Sequence, residues 1–339
     1  MVTILLHSQV NGHGGIPRFN RNLNEASENK VVLSLNDNTS YGSDKNKFRF
    51  LAQTVKALFK KKPKFVIIGH LNFTPLALLI FMITKAKVVV ILHGVEAWQK
   101  RNKLKLFYHF VDEFWSVSDY TSQQFHVSNG VNLNKIKPIF NTLPSNWDLK
   151  PTSLYKPYML TVTRLDKSEG YKGVEESLHA ISKLKDEMAL NNFKYKLVVH
   201  GDDVQRHKNL CKELEISDFV DFETNLTDSE LMELYENCSF FSLPSTGEGF
   251  GIVFLEAMAC RKACVGCVRT GAEDVIVNKS TGFLIEQNTM ELVRVYRELI
   301  KSNEYCKELG LNGQQRLKDN FTFDKFSNRI SKLINMDVK

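Results

Sequence analysis

The chain of 339 residues is longer than a single hydrophobic core usually supports, so its length predicts two domains. Hydrophobic residues make up 43% and charged residues 24% of the sequence, with modest glycine and proline counts. This composition excludes the disordered and fibrous classes of protein. No basic residue precedes the short apolar run at the amino terminus, which therefore predicts a first strand and not a signal peptide.

The net charge of +7 is distributed unevenly along the chain. Residues 1–150 hold 20 basic and 9 acidic residues, a net charge of +11, whereas residues 151–339 hold 25 and 29, a net charge of −4. The basic first half predicts an anionic partner, which could be a membrane surface, a phosphate-bearing acceptor or a nucleic acid.

All six cysteines lie in the second half, and without a secretory context they predict reduced thiols in a cytoplasmic protein. Cys260, Cys264 and Cys267 could suggest a metal cluster, but no fourth ligand follows at zinc spacing and the segment is apolar. We therefore expect buried thiols and no metal site.

Short apolar runs rich in β-branched residues alternate with helical patterns, which predicts parallel sheets built from βαβ units. In the stretch 73–92, Lys85 and Lys87 interrupt the apolar residues, so a helix followed by a strand is favoured over a membrane span. The predicted strands are 2–6, 31–35, 65–69, 88–92 and 113–117 in the first half, and 158–162, 195–200, 219–222, 239–243, 263–268 and 283–285 in the second.

The turn-rich stretch from Asn141 through Pro151 to Pro157 has no periodicity and predicts the linker between two domains. We accordingly place a first domain at residues 1–150 and a second at residues 151–319. Segment 320–339 is predicted to form a helix that packs back against the first domain, since its apolar residues recur at helical spacing. These residues are Phe323, Phe326, Ile330, Leu333 and Ile334.

Residues 245–259 follow a predicted strand and read STGEGFGIVFLEAMA. A strand, a glycine-rich loop and a helix in this order direct backbone N–H groups and the positive end of the helix at a phosphate. Glu248 is predicted in the loop and Glu256 about two turns into the helix. The two carboxylates can therefore reach two different parts of one ligand.

This string resembles the E-x7-E motif of the retaining GT-B glycosyltransferases, in particular family 4. The resemblance implies two facing Rossmann-like domains with parallel sheets and a cleft between them. It also implies that Glu248 contacts hydroxyls of a donor sugar and that Glu256 holds the ribose hydroxyls of the nucleotide. The donor would further contact Gly249, Phe250, Gly251, Ile252 and Val253.

Arg164 lies just beyond the first predicted strand of the second half, and Lys172 follows within the sequence GYKG. Two cations that flank a βα turn can neutralise a diphosphate. They resemble the Arg and Lys-Gly pair of the same family, which implies that they hold the leaving diphosphate and that no metal or other cofactor is needed. The alternative is that Arg164 caps a helix end and that Lys172 is a solvated loop residue.

His93 follows the predicted strand 88–92, at the end of the strand where parallel sheets bind ligands. A histidine at such a position is often a structural residue with its hydrogen bonds satisfied. The resemblance implies instead that His93 hydrogen-bonds the donor sugar from the acceptor side, with Glu96 and Trp98 as neighbours.

The segment NGHGGIPR after the first predicted strand contains Gly14 and Gly15, which permit close approach of a phosphate or a sugar. It resembles the glycine-rich loop that the family places over the donor. The segment lacks a convincing G-x-G-x-x-G pattern with an acidic partner, although Asp37 is nearby, so an NAD-dependent enzyme is disfavoured.

Three smaller features fit the same family. Thr227 and Glu230 predict a helix start with a capping box, and the resemblance implies that the preceding Leu226 touches the nucleobase. Gly201 resembles the strand-end glycine that lets the nucleotide approach. The stretch 270–273 resembles the family's glycine-glutamate loop, with Thr270 in place of one glycine.

The segment 45–62 combines lysines with apolar residues at helical spacing, which are Leu51, Val55, Leu58 and Phe59. Two explanations remain: a core-facing stripe with a solvated charged face, or a surface that docks on anionic lipid headgroups. A second basic cluster consists of Lys100, Arg101, Lys103 and Lys105. No recognised nucleic-acid-binding module accompanies the charge, so we expect no nucleic-acid partner.

The resemblance as a whole implies transfer of a hexose-type sugar from a UDP- or GDP-sugar to a glycan or lipid-linked glycan acceptor. Such a protein would act in bacterial surface polysaccharide or lipopolysaccharide synthesis, in the cytoplasm or on the inner face of the membrane. No residue is an obvious nucleophile, so a front-face displacement is favoured, in which the leaving phosphate helps to deprotonate the acceptor. The alternatives are another GT-B enzyme such as a nucleotide-sugar epimerase, or a non-catalytic protein that binds sugar nucleotides or nucleic acid.

Overall fold

The structure is a computed structural model that describes residues 2–12, 14–36, 43–147 and 155–335, apart from the side chains of residues 43–45 and 190. His13, Asp37 and the central part of the predicted linker, residues 148–154, lie outside the described residues. The chain forms two compact units, of which one is Met1–Asn146 together with Phe321–Lys339 and the other is Trp147–Asn320.

The first unit is built on a six-stranded parallel sheet. Its strands are β1 Thr3–His7, β2 Lys30–Ser34, β3 Phe65–Ile68, β4 Lys87–Leu92, β5 Glu113–Ser116 and β6 Ile136–Pro138. The helices that connect them are α1 Gly15–Ala26, α2 Ser43–Lys61, α3 Leu76–Ile83, α4 Val95–Trp98, α5 Asn102–Lys105 and α6 Asp119–Asn129. The strand order β2-β1-β3-β4-β5-β6 places the point where the chain direction across the sheet reverses between β1 and β3.

Burial explains why these segments form strands. β1, β3 and β4 consist almost entirely of buried residues, mostly valine, isoleucine and leucine, as expected when helices cover both faces of a parallel sheet. α3 and β4 confirm the prediction of a helix followed by a strand in the stretch 73–92. Among the described residues, no helix combines the length and apolar character required to cross a membrane.

The second unit contains another six-stranded parallel sheet. Its strands are β7 Tyr158–Arg164, β8 Lys194–His200, β9 Val220–Glu223, β10 Phe240–Ser242, β11 Ala263–Cys267 and β12 Gly282–Ile285. Its helices are α7 Val174–Leu190, α8 Val204–Glu213, α9 Asp228–Asn237, α10 Ile252–Ala259, α11 Ala272–Val275, α12 Thr289–Lys301 and α13 Asn303–Asn320. The order β12-β11-β10-β7-β8-β9 is the doubly wound arrangement of dinucleotide-binding sheets, with its reversal between β7 and β10.

The chain then returns to the first unit as α14 Phe323–Asn335, so the helix begins slightly later than the predicted residue 320. α14 packs against α1, where the rings of Phe19 and Phe326 meet edge to face at 5.9 Å. Arg329 donates a hydrogen bond to the carbonyl of Ile139 at 2.8 Å. The predicted α/β class with two parallel sheets is confirmed, although β6 was not predicted from the sequence.

Candidate functional site

The topology of the second sheet determines where a ligand can bind. β7 and β10 are neighbours, yet the connections that leave them run to opposite sides of the sheet, which opens a crevice beyond their carboxyl ends. Arg164 is the last residue of β7, and Lys172 ends the 3-10 segment Lys167–Lys172 that follows it. Glu248 lies in the loop that follows β10. The sheet therefore brings these three predicted site residues to one edge.

Arg164 is fixed by a buried carboxylate. Glu169 accepts hydrogen bonds from Nε and Nη2 of Arg164 at 2.6 and 2.5 Å, and a third bond from the hydroxyl of Tyr171 at 2.8 Å. Asp166 adds an oxygen 3.0 Å from Nε. Among the described residues Nη1 of Arg164 has no partner, and the side chain is about half exposed. One edge of the guanidinium is thus held in place while the other can meet an anion.

Arg164 and Glu169 stabilise each other's charged forms. Burial of Glu169 favours its neutral form, but the hydrogen bonds from Arg164 and Tyr171 outweigh burial and lower the pKa of the carboxyl. The hydrogen bond to Glu169 raises the pKa of Arg164 further above its usual range. Glu169 is therefore a carboxylate at neutral pH and orients a permanently charged guanidinium.

Lys172 and Glu248 form the second ion pair of the site. Nζ of Lys172 lies 3.4 Å from Oε2 of Glu248, and the two side chains are only 16% and 17% exposed. The ammonium also lies 5.3 Å from the ring centre of Tyr171. The structure therefore joins the lysine after β7 to the first glutamate of the predicted motif, which the sequence separates by 76 residues.

A glutamine holds the two loops together. Nε2 of Gln287 donates to the backbone carbonyls of Tyr171 and Pro244 at 2.9 and 2.8 Å. The carbonyl of Tyr171 also accepts from the backbone N–H of Thr246 at 2.9 Å. Gly173 has φ of +72°, and a Cβ there would come within 2.2 Å of the Pro244 carbonyl oxygen. This close packing fixes where Lys172 and Glu248 can lie.

The loop before α10 is also closely packed. Gly251 precedes the helix with φ of +89°, and a Cβ at this position would overlap the ring of Phe254. The N–H of Gly271 donates to the carbonyl of Glu248 at 2.7 Å, and a Cβ on Gly271 would come within 2.1 Å of the Gly249 carbonyl oxygen. The predicted donor-binding residues Phe250 and Ile252 are buried, whereas Gly249 and Val253 are partly exposed.

Glu256 lies in the second turn of α10, closer to its start than predicted. Its side chain is 2% exposed, and Oε2 accepts a hydrogen bond from the hydroxyl of Tyr235 at 2.8 Å. Leu226 is half buried before α9, whose predicted capping box between Thr227 and Glu230 is present. The hydrogen bond from Tyr235 thus orients the carboxylate of Glu256 inside the second unit.

Gly201 has a structural reason to be glycine. Its φ is +133°, and a Cβ would lie within 2.1 Å of the carbonyl oxygen of Leu165. The chain itself thus occupies the space that a side chain would need. Gly201 follows β8, the neighbour of β7, so it still lies on the edge of the sheet that carries Arg164.

The first unit contributes His93 at the carboxyl end of β4. Its Nε2 lies 2.8 Å from the carbonyl oxygen of Gly69, and because a carbonyl only accepts, Nε2 carries the proton. Burial lowers the pKa of His93, although Glu96 and the bond to Gly69 oppose it. His93 is therefore neutral, and no described residue hydrogen-bonds its Nδ1. Oε1 of Glu96 accepts from the backbone N–H of His93 at 2.6 Å.

A second histidine, His70, follows β3 on the same edge of the sheet. Its ring centre lies 6.0 Å from that of His93. Nδ1 of His70 accepts from the N–H of Asn72 at 3.1 Å, so the neutral ring carries its proton on Nε2. Burial, followed by the neighbouring His93, lowers the pKa of His70. His93 therefore offers an acceptor nitrogen at Nδ1, and His70 a donor nitrogen at Nε2.

Gly14 and Gly15 begin α1, beyond β1. Gly14 has φ of +108°, and a Cβ on either glycine would meet no atom of the described residues within 4 Å. Within the described part of the chain the space over both glycines is therefore open, in contrast to the filled space at Gly201. Trp98, predicted as a neighbour of His93, donates from its indole nitrogen to Thr121 at 3.1 Å.

Sequence reasoning missed Glu169, Gln287 and His70. Glu169 had a signal, since it is the acidic residue between two cations of a βα turn. His70 follows a predicted strand just as His93 does, so the same rule would have found it. Nothing in the sequence marks Gln287, because its contacts are backbone carbonyls more than 40 residues away in the chain.

All six cysteines are free and buried. Burial raises the pKa of Cys211 and Cys306 to about 11 and that of Cys238 to about 12, so these thiols are protonated at neutral pH. In the part of the chain that the structure describes, no three His, Cys, Asp or Glu side chains are grouped so as to hold a metal ion.

Known proteins resemble this chain in sequence. Residues 150–316 match the family model of the glycosyl transferases group 1. The alpha-1,3/1,6-mannosyltransferase ALG2 of Dictyostelium discoideum is 24% identical over 229 residues, which are 64% of this chain and 52% of that protein. The capsular polysaccharide biosynthesis glycosyltransferase CapM of Staphylococcus aureus is 30% identical over 112 residues, 33% of this chain and 30% of CapM. The chain thus spans about half or less of these curated relatives.

The fold is shared with solved structures over nearly the full length. The crystal structure of Anabaena HepE in complex with UDP has a TM-score of 0.83 and 17% identity, and the match covers 99% of this chain and 100% of HepE. At this identity the likeness shows the fold alone, and it confirms the predicted GT-B type. Across residues 150–316 the chain is therefore similar to the glycosyl transferases group 1 family.

Proposed function

We propose that the protein is a retaining hexosyltransferase of family 4, with the E-x7-E motif formed by Glu248 and Glu256. It transfers a sugar from a UDP- or GDP-sugar to a glycan or lipid-linked glycan acceptor. The observation that carries the proposal is the pairing of Lys172 with Glu248 at the reversal point of the second sheet, beside Arg164. The match of residues 150–316 to the glycosyl transferases group 1 model supports the reaction class.

Arg164 and Lys172 hold the diphosphate of the donor in this proposal. The free edge of Arg164 and the ammonium of Lys172 stabilise the negative charge that develops as the nucleoside diphosphate leaves. The same two cations supply the positive field that a divalent metal supplies elsewhere, so the reaction is metal-independent. Glu169 orients Arg164 throughout the reaction but does not touch the donor.

Glu248 and the loop from Gly249 to Gly251 hold the donor sugar. Glu248 accepts hydrogen bonds from sugar hydroxyls once Lys172 turns toward the diphosphate, so the Lys172–Glu248 ion pair is exchanged for contacts to the donor. Glu256 binds the ribose hydroxyls, Leu226 lies beside the base, and Gly201 lines the nucleotide. For these three residues the support is the family resemblance together with their positions around the same sheet edge.

The first unit takes the acceptor side. In this proposal His93, held neutral with an acceptor nitrogen, binds a hydroxyl of the donor sugar. For Gly14 and Gly15, the support for a donor contact is the family resemblance of their loop. Sugar transfer proceeds by front-face displacement, in which the leaving phosphate oxygen takes the acceptor proton. Positioning and electrostatic stabilisation then provide most of the rate enhancement.

A role in bacterial surface polysaccharide or lipopolysaccharide synthesis is supported by the named role of CapM in capsular polysaccharide biosynthesis. A nucleotide-sugar donor is supported by HepE, whose structure contains UDP. The protein would work in the cytoplasm, on the inner face of the membrane, where lipid-linked acceptors are assembled.

The experiment that tests the donor assignment is a thermal-shift comparison of UDP, GDP and ADP with their sugar derivatives. A ligand that binds the folded state raises its stability in proportion to the logarithm of its concentration over Kd. We expect UDP or GDP to raise Tm, and the Lys172→Ala variant to need a much higher ligand concentration for the same rise in Tm. Release of a free nucleoside diphosphate during turnover separates a transferase from an epimerase and from a non-catalytic binding protein.

A further inference from the structure

The outer face of α2 exposes large apolar side chains. Phe48 and Phe59 are 76% and 64% exposed, and Leu51 is exposed between them. Because a helix turns about 100° per residue, eleven residues bring Phe48 and Phe59 back to the same side. These three residues define the outer stripe. Large apolar side chains that share an exposed helix face are typical of an interaction surface.

The outer stripe is not the core face of the helix. Phe50, Thr54 and Leu58 are buried and face the sheet at a spacing of four residues. The core-facing explanation of the sequence pattern is therefore correct for Leu58 and wrong for Leu51 and Phe59. α2 has two apolar faces, and only one of them is used by the fold of its unit.

Cations flank the outer stripe. Arg49, Lys56 and Lys60 are exposed and lie beside it on the helix. A helix with aromatic and aliphatic residues on one face and lysine or arginine next to them is typical of segments that lie in the boundary of an anionic membrane.

A depression of about 600 Å³ adjoins the carboxyl end of α2. Its walls include four lysines and no carboxylate, together with Phe59 from the outer stripe and Ile83 from α3. Lys87 is paired with Glu113 at 2.9 Å. The other three lysines, Lys62, Lys64 and Lys85, are exposed and have no ion-pair partner among the described residues. We call this cavity, with Lys62, Lys64 and Lys85 on its walls, the lysine depression.

The helix that contributes Ile83 to the lysine depression also exposes apolar side chains. Phe81 and Met82, in the last turn of α3, are both exposed by more than half. The depression lies at the amino ends of β3 and β4, whose first residues Phe65 and Lys87 line it. His70 and His93 lie at the opposite, carboxyl ends of these strands, so the candidate site does not account for this surface.

We propose that the outer stripe and the lysine depression together dock the first unit on an anionic phospholipid bilayer. The stripe enters the boundary of headgroups and acyl chains, and the three unpaired lysines bind lipid phosphates in the depression. Lysine is depleted in protein interfaces, which prefer arginine and aromatic anchors, so the composition favours a membrane over a protein partner. The inference goes beyond the proposed function, because vesicle binding does not depend on which donor or acceptor the protein uses.

The test is co-sedimentation of the full chain with vesicles of phosphatidylcholine alone or mixed with phosphatidylglycerol. The first variant is Lys62→Gln/Lys64→Gln/Lys85→Gln, and the second is Phe48→Gln/Phe59→Gln. A matched control removes three exposed, unpaired lysines of the second unit by Lys183→Gln/Lys212→Gln/Lys318→Gln. Tm shows that each variant is folded, and its UDP or GDP affinity reports separately on the proposed donor site.

The parent should bind the phosphatidylglycerol vesicles, bind phosphatidylcholine weakly, and lose affinity as salt is raised. The first variant should lose about 100-fold in partitioning at physiological salt, since each lysine near a charged surface contributes roughly fivefold. The second variant should lose the apolar part of vesicle binding, which is the part that persists at high salt. The control should bind about as well as the parent. Equal binding of the parent to the two kinds of vesicle would overturn the proposal. An equal loss of vesicle binding in the first variant and in the control would also overturn it. Neither result depends on the nucleotide affinity.

Discussion

The ammonium of Lys172 lies 3.4 Å from the carboxylate of Glu248, although 76 residues separate them in the chain. The two residues follow β7 and β10, the strands between which the second sheet reverses. In the proposed function Lys172 exchanges this contact for the donor diphosphate, and Glu248 exchanges it for sugar hydroxyls. The ion pair thus holds both side chains at the place where we propose that the donor binds.

Replacing Lys172 should weaken nucleotide binding specifically. Lys172→Ala removes a charge-assisted contact to a buried phosphate, which costs about 2–3 kcal/mol, or roughly 30- to 150-fold in Kd. Lys185→Ala is the matched control, because Lys185 forms a similar pair with Glu215 at 3.5 Å on the exposed surface of the same unit. Calorimetric titration of UDP and GDP measures both. Equal affinity of the Lys172→Ala variant and the parent would refute the donor-site assignment.

Replacing Gly173 should destabilise the second unit. Gly173→Ala places a side chain at φ of +72° and forces its Cβ against the Pro244 carbonyl oxygen. The left-handed backbone alone costs about 1–2 kcal/mol, and the overlap adds to it. Gly170→Ala is the control, since a Cβ there meets nothing within 4 Å. Urea unfolding should show a loss of at least about 2 kcal/mol for the first variant and almost none for the second. Similar losses in both would contradict the close packing of these loops.

Lowering the pH should destabilise the first unit through His70 and His93. Burial lowers the pKa of both below 6.5, so at pH above about 6.5 neither the folded nor the unfolded chain protonates them. As pH falls below that value, the unfolded chain takes up protons that the folded chain resists, and the free energy of unfolding decreases. The double variant His70→Gln/His93→Gln should show a shallower decrease between about pH 7 and pH 5 in urea unfolding. Parallel curves for variant and parent would rule out this contribution.

Removal of divalent metals should leave activity largely intact. Arg164 and Lys172 supply the positive charge at the leaving diphosphate in the proposed mechanism, so EDTA has no required ion to withdraw. Release of nucleoside diphosphate, measured with and without EDTA, checks this. Complete loss in EDTA with recovery on adding magnesium or manganese would mean that the two cations are insufficient.

Much of the fold was predictable because each strand is a compact apolar run and each helix an amphipathic one. β6 escaped prediction since three residues that end in Pro138 carry too little pattern, and only pairing with β5 makes them a strand. For α2 the sequence left two explanations open. Periodicity shows that a helix face is apolar, but it does not show which of two apolar faces the core covers.

The charged residues of the candidate site were predicted from motifs, whereas their partners were not. Glu169 and Gln287 act on Arg164 and on the loops through contacts that only the folded sheet creates. The sequence also did not predict that Glu256 is buried, because its contact with Tyr235 of α9 forms only in the folded unit. Local motifs therefore predict which side chains carry the charges of the candidate site, whereas tertiary packing decides how those side chains are oriented.

The central claim is that the second unit binds a nucleotide-sugar and that the protein transfers its sugar with retention. The most direct test uses the donor identified by thermal shift, with water or a glycan as acceptor. NMR then measures the anomeric configuration of the first product that the purified protein forms. The account predicts a product with the anomeric configuration of the donor, and loss of that product in Lys172→Ala and Glu248→Gln. An inverted product, or turnover that persists in both variants, would contradict it.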